Sequence, residues 1–108
     1  MTKSKVKKIK LLLESNEYQR LLKRGEDSIT IHSGLVTLNS GESIGKHNTN
    51  NCEEIIFVLE GKGELSIEDE ILEMQEGFVF YCPPQTIHNV TNAGDKVLKY
   101  IYVTAAII

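Results

Sequence analysis

The sequence predicts an all-β domain of the jelly-roll or small-barrel kind. After Gly25, runs of four to eight residues rich in Ile, Val, Phe and Tyr alternate with Gly, Asn, Pro and Asp punctuation. No helical periodicity interrupts those runs, so the strands join one another directly. The 108 residues suffice for a single modest core, and 41% hydrophobic with 25% charged residues is the balance of a globular chain rather than a disordered one.

The elements are taken in chain order. Residues 1–27 read as a basic N-terminal arm followed by a short helix. Ser15 is a good N-cap, Glu17 suits the first turn, Lys23 and Arg24 suit the last, and Gly25 follows as a C-cap. Tyr18, Leu21 and Leu22 give that helix an apolar stripe at i, i+3 and i+4. Residues 28–108 read as the barrel. Its strands are expected at 28–38, 43–49, 53–60, 63–68, 70–74, 78–81, 88–91 and 96–104. Gly61-Lys62-Gly63 and Asp69-Glu70 are expected as hairpin turns.

Alternation then assigns faces. If Glu54 points inward, so do Cys52, Ile56 and Val58, leaving Ile55, Phe57 and Leu59 outward. The last strand divides likewise, with Val97, Ile101 and Val103 on one face and Leu98, Tyr100 and Tyr102 on the other. Sheets apolar on both faces need cover on both. One short helix covers part, and a second copy of the chain in a homodimer is expected to cover the rest.

Composition excludes several classes. The basic start has only Leu11 to Leu13 as an apolar centre and no small-residue cleavage site, so it is not read as a secretory signal. No membrane span of about 18 apolar residues exists in the sequence, and a cytoplasmic location is expected. Two cysteines, Cys52 and Cys82, cannot make a disulfide-dense scaffold. Residues 1–24 hold eight Lys/Arg against two Glu, a balance of +6, and the remainder holds four Lys against thirteen Asp/Glu, a balance of −9. No aromatic or arginine pattern for base stacking accompanies the lysines, so nucleic acid is not an expected partner. Neither a Ser/His/Asp set nor a glycine-rich phosphate loop is legible, and catalytic residues stay unassigned.

Two stretches carry chemistry. The first, GESIGKHNTNNCEEIIFVLEG, sets Gly41, His47, Thr49, Glu54 and Gly61 at intervening gaps of five, one, four and six residues. The second, GFVFYCPPQTIHNVTN, sets Gly77, Pro83, Gln85, His88 and Asn92 at gaps of five, one, two and three. Fifteen residues separate them. Imidazole with carboxylate suits Fe(II), Mn, Ni, Zn or Cu, and two histidines with one glutamate make a three-ligand face with open positions.

Over roughly residues 30–103 the chain resembles the small single-domain cupins, whose paired motifs have these spacings. The resemblance implies a double-stranded β-helix and carries metal ligation onto His47, Glu54 and His88. Thr49 stands where the family usually has a second histidine, and Gln85 where it usually has glycine. Thr49, Cys52, Phe80, Cys82 and Gln85 are the expected pocket residues, with Cys52 a candidate soft ligand. Similar proteins include isomerases, dioxygenases and lyases acting on small polar or carbohydrate-like metabolites, and dimers are common among them. A metal-free binding or sensing module for a small ligand is the alternative, resting on the Thr49 departure.

Overall fold

The computed structural model describes residues 5–107; what was expected of residues 1–4 and of Ile108 lies outside them. Among the described residues nine strands form two antiparallel sheets. They are β1 (Gln19–Leu22), β2 (Ile31–Leu38), β3 (His47–Asn48), β4 (Cys52–Glu60), β5 (Lys62–Ile67), β6 (Glu70–Gln75), β7 (Val79–Cys82), β8 (Ile87–Thr91) and β9 (Leu98–Ala106). One sheet has the order β1-β2-β9-β4-β7 and the other β3-β8-β5-β6. Eight of the strands fall where turn punctuation and alternation place them, although the expected strand 43–49 is reduced to the His47–Asn48 pair and an isolated bridge from Ser43 to Thr91.

The expected N-terminal helix is absent among the described residues, and β1 stands in its place. Gln19, Arg20 and Leu22 pair with Leu35, Gly34 and Ser33 of β2, and the register shifts between Arg20 and Leu22. That irregularity lets Leu21 and Leu22 both be half-buried, where strict alternation would expose one of them. Two adjacent half-buried leucines therefore imitate a helical stripe. A helix of about nine residues is marginal in water by itself, whereas the open edge of β2 offers backbone partners at once.

The core lies between the sheets. Val36, Leu38, Ile56, Val58, Leu65, Met74, Cys82, Val90, Leu98 and Tyr100 form one buried cluster. In β4, Glu54, Ile56 and Val58 are buried while Ile55 and Phe57 keep 38% of their surface exposed, so this strand has the two faces its sequence implies.

Gly61 is not a hairpin turn. β4 pairs with β7 and β9, β5 pairs with β6 and β8, and Gly61 is the corner at which the chain changes sheets. Its φ is +87°, and a Cβ there would run into the Val97 carbonyl oxygen, so only glycine fits. The β5–β6 hairpin does exist, with Ile67 opposite Glu70 and Glu68-Asp69 as its loop. At the far end of the sandwich the buried Asn92 amide donates to the Leu38 and Lys96 carbonyls at 2.9 and 2.8 Å and accepts from the Gly94 N–H. Those three bonds close that end of the domain.

Candidate metal centre

Motif one divides itself between the sheets. His47 on β3 lies directly across from His88 on β8 in the smaller sheet, and Glu54 comes from β4 in the larger one. The packing of the two sheets brings the three together. One ligand atom from each lies within 4.8 Å of the other two. His88 and Glu54 are buried and His47 is exposed, so the cluster has a protein side and an open side.

Backbone carbonyls fix both imidazoles. His47 Nδ1 lies 2.9 Å from the Gly45 oxygen, and His88 Nδ1 lies 3.3 Å from the Thr86 oxygen. A carbonyl only accepts, so both contacts favour the Nδ1–H tautomer, which leaves each Nε2 for a ligand role. The Gly45 carbonyl is itself held in place. Asn89 Oδ1 accepts from Gly45 N–H and from the Ser43 hydroxyl, each at 2.9 Å. Asn89, one residue beyond His88, thereby orients the loop that orients His47.

His88 Nε2 approaches Glu54 Oε1 to 2.9 Å inside the protein. With Nδ1 protonated, a neutral ring would point a lone pair at a carboxylate oxygen. Such a contact needs a positive centre in it, either a proton on Nε2 or a metal cation. Burial works against the charged ring, but the hydrogen bond to Glu54, its negative charge and the Thr86 carbonyl outweigh that, and His88 sits above the ordinary histidine value. The donor set of two imidazoles and one carboxylate fits a borderline divalent ion bonded at about 2.0–2.2 Å.

A pH dependence follows, since only the deprotonated ring ligates. Metal affinity is expected to fall as pH drops through His88's raised pKa, and so from a pH above the ordinary histidine value of about 6.5. Zn(II) titrations at pH 5.5 and 7.5 check this; equal affinities would exclude His88 as a ligand.

The remaining pocket expectations divide. Thr49 and Cys52 do line a cavity of about 420 Å³ together with His47 and Glu54. The Thr49 hydroxyl, however, donates to the Pro83 carbonyl at 2.7 Å and accepts from the Thr86 N–H at 3.0 Å. It staples the Pro83–Thr86 turn beside His88 and has no free role as a ligand. Phe80, Cys82 and Gln85 lie off the cavity. Phe80 packs on the core, Cys82 is fully buried in it, and Gln85 is an exposed turn residue with φ +55°. Burial, then the Glu54 charge, pushes the Cys82 thiol up to about 11, so it stays protonated. Glu53 points away from the centre and accepts a 2.8 Å hydrogen bond from the Tyr81 hydroxyl.

Sequence reasoning missed most of the cavity wall, which consists of Tyr18, His32, Tyr100, Tyr102 and Thr104 with Val36 and Ile44. His32, on β2, belongs to neither motif. A signal for three of these residues existed: alternation along β9 puts Tyr100, Tyr102 and Thr104 on one face, and their partners on β4 are Val58, Ile56 and Glu54.

Comparison with known proteins places this fold. The family described as Cupin domain matches residues 34–104. An uncharacterized protein of Methanocaldococcus jannaschii is 33% identical over 72 residues, covering 67% of this chain and 56% of that protein. A 5-nitrosalicylic acid 1,2-dioxygenase of a Bradyrhizobium species is 30% identical over 69 residues, covering 63% of this chain and 33% of the enzyme. The chain thus spans about half or less of the length of these relatives. Among solved structures, an RmlC-like cupin family protein with a double-stranded β-helix fold, also from M. jannaschii, superposes with a TM-score of 0.77 at 20% identity, over 98% of this chain and 94% of that one.

Proposed function

Because this chain belongs to the cupin-domain family, we propose that it is a metal-dependent enzyme acting on a small oxygenated molecule, with His47, Glu54 and His88 as the ligands. The observation that carries this reading is the convergence of one ligand atom each from His47, Glu54 and His88 to within 4.8 Å, with the buried His88 Nε2 2.9 Å from Glu54 Oε1. Two histidines and a carboxylate with open positions form the donor set of non-haem Fe(II) oxygenases, and a bound divalent ion supplies Lewis acidity and a place for oxygen-donor ligands.

The chain's own residues do the rest. Gly45 and Thr86 carbonyls hold the imidazoles, and Thr49 fixes the turn beside His88. Buried Glu54 supplies the negative charge that a cation requires. The cavity at the open side of the triad has room for a compact ligand. The similarity to a 5-nitrosalicylic acid dioxygenase supports the oxygenase class within this reading.

Metal analysis of protein purified without chelator or affinity metal tests it. About one transition-metal ion per chain is the expected result, with Fe(II)-dependent oxygen uptake on screening small oxygenated aromatics and enediols. Protein that neither retains nor takes up a stoichiometric metal ion would overturn the proposal. A second, non-enzymatic reading would be favoured by metal-loaded protein that binds such a molecule and returns it unchanged.

A further inference from the structure

The triad leaves a second chemical group in the cavity unexplained. The hydroxyls of Tyr18 and Tyr102 lie 2.6 Å apart, joining the segment before β1 to the middle of β9. Both side chains line the same cavity as His47 and Glu54. The Tyr18 ring lies against Gly34 of β2, where a Cβ would collide with it, so the sheet leaves a place for this ring. Tyr18 also precedes residue 34, at which the family match begins. It belongs to the segment that leads into β1.

Hydrogen counting shows what the pair offers. One hydroxyl donates to the other, and the acceptor's own proton remains free to donate elsewhere. A hydroxyl that already accepts is polarised and becomes a better donor. Burial, the bond to Tyr18 and nearby negative charge raise Tyr102 above the ordinary phenol value, so its hydroxyl keeps its proton at neutral pH. No Lys or Arg is among the described residues lining the cavity. Away from the metal triad, a multiply charged phosphate or polycarboxylate would find no lysine or arginine among those lining residues. A neutral or singly charged molecule suits the wall better.

We propose that the Tyr18–Tyr102 pair is the specificity-determining anchor of this cavity, donating a hydrogen bond to an oxygen of a neutral or monoanionic oxygenated ligand whose other end faces the metal triad. Only that second end rests on the metal reading; the anchor stands on the pair's own geometry.

4-Hydroxybenzoate and benzoate are the probes: both are flat monoanions, and they differ by one hydroxyl at the end opposite the carboxylate. Each is titrated calorimetrically into Zn(II)-loaded and into metal-free protein. Wild-type protein is expected to prefer 4-hydroxybenzoate by roughly tenfold, the size of one well-placed hydrogen bond. Tyr18→Phe and Tyr102→Phe each reduce the preference, and the double variant removes it while Zn(II) affinity stays unchanged. Phenylalanine keeps each ring, and should the double variant lose its far-UV circular dichroism or its cooperative melting, Tyr102→Phe alone carries the comparison. A preference that survives the variants, or no 4-hydroxybenzoate binding by wild-type protein in either form, overturns the anchor. Failure of the metal reading looks different: Zn(II) is not taken up, while the preference persists in metal-free protein and still depends on the two hydroxyls.

Discussion

His88→Ala is expected to abolish stoichiometric metal binding, and Glu54→Ala to do the same. Each removes one of three donors from a cluster whose ligand atoms lie within 4.8 Å of one another. The loss should exceed the ~10–100-fold typical of removing an outer-shell partner, because the removed group is itself a ligand. Competition against a chromophoric chelator measures it. Glu53→Gln is the control, since Glu53 is the neighbouring carboxylate but turns outward to Tyr81. Equal losses at Glu53 and Glu54 would mean a nonspecific charge effect; unchanged affinity in His88→Ala would place the metal elsewhere.

Ile56→Ala carries the second large effect. Ile56 is fully buried, between Phe80 of β7 and Tyr102 of β9 in register. Truncating such a side chain costs about 2–5 kcal/mol in lost transfer energy and cavity formation. For a chain of this size that lowers Tm by roughly 10–25 °C, readable by calorimetry. Its neighbour Phe57 makes the contrast. Phe57 faces outward with Ile55, near the exposed Val79 and Tyr81 of the edge strand β7. If this face is the surface of a homodimer, Phe57→Lys separates the subunits in light scattering and leaves metal affinity intact. A chain that is monomeric throughout the micromolar range removes that assignment.

These two adjacent positions show what the sequence discloses and where it stops. Period-two alternation needs no tertiary information, so the inward and outward faces of β4 are legible from residues 52–60 alone. The spacing of His47, Glu54 and His88 is legible for the same reason: rigid strands convert sequence intervals into directions. Thr49 is legible as a departure, but its employment as a staple on Pro83 and Thr86 is not, since those partners lie more than thirty residues away. Gly61 misleads because a glycine with positive φ marks a hairpin and a change of sheet alike. Leu21 and Leu22 mislead because a bulge buries consecutive residues as a helix does. The cavity wall is the least legible part. Tyr18, His32 and Tyr102 come from three separate segments, and only the packed sheets bring them to one cavity.

The edge position of β1 has an evolutionary consequence. It pairs on one side only, with β2, and ends the five-stranded sheet. Residues before and within such a terminal strand can be replaced, lengthened or shifted without rethreading the barrel, because only β2 pairs with them and β2 keeps its ladder to β9. Yet this segment delivers Tyr18 into the cavity. Two parts of the chain can thus drift at different rates: a barrel that keeps three donors in place, and a leading strand that redraws the mouth above them. Relatives compared only across the barrel would share the first part and say nothing of the second.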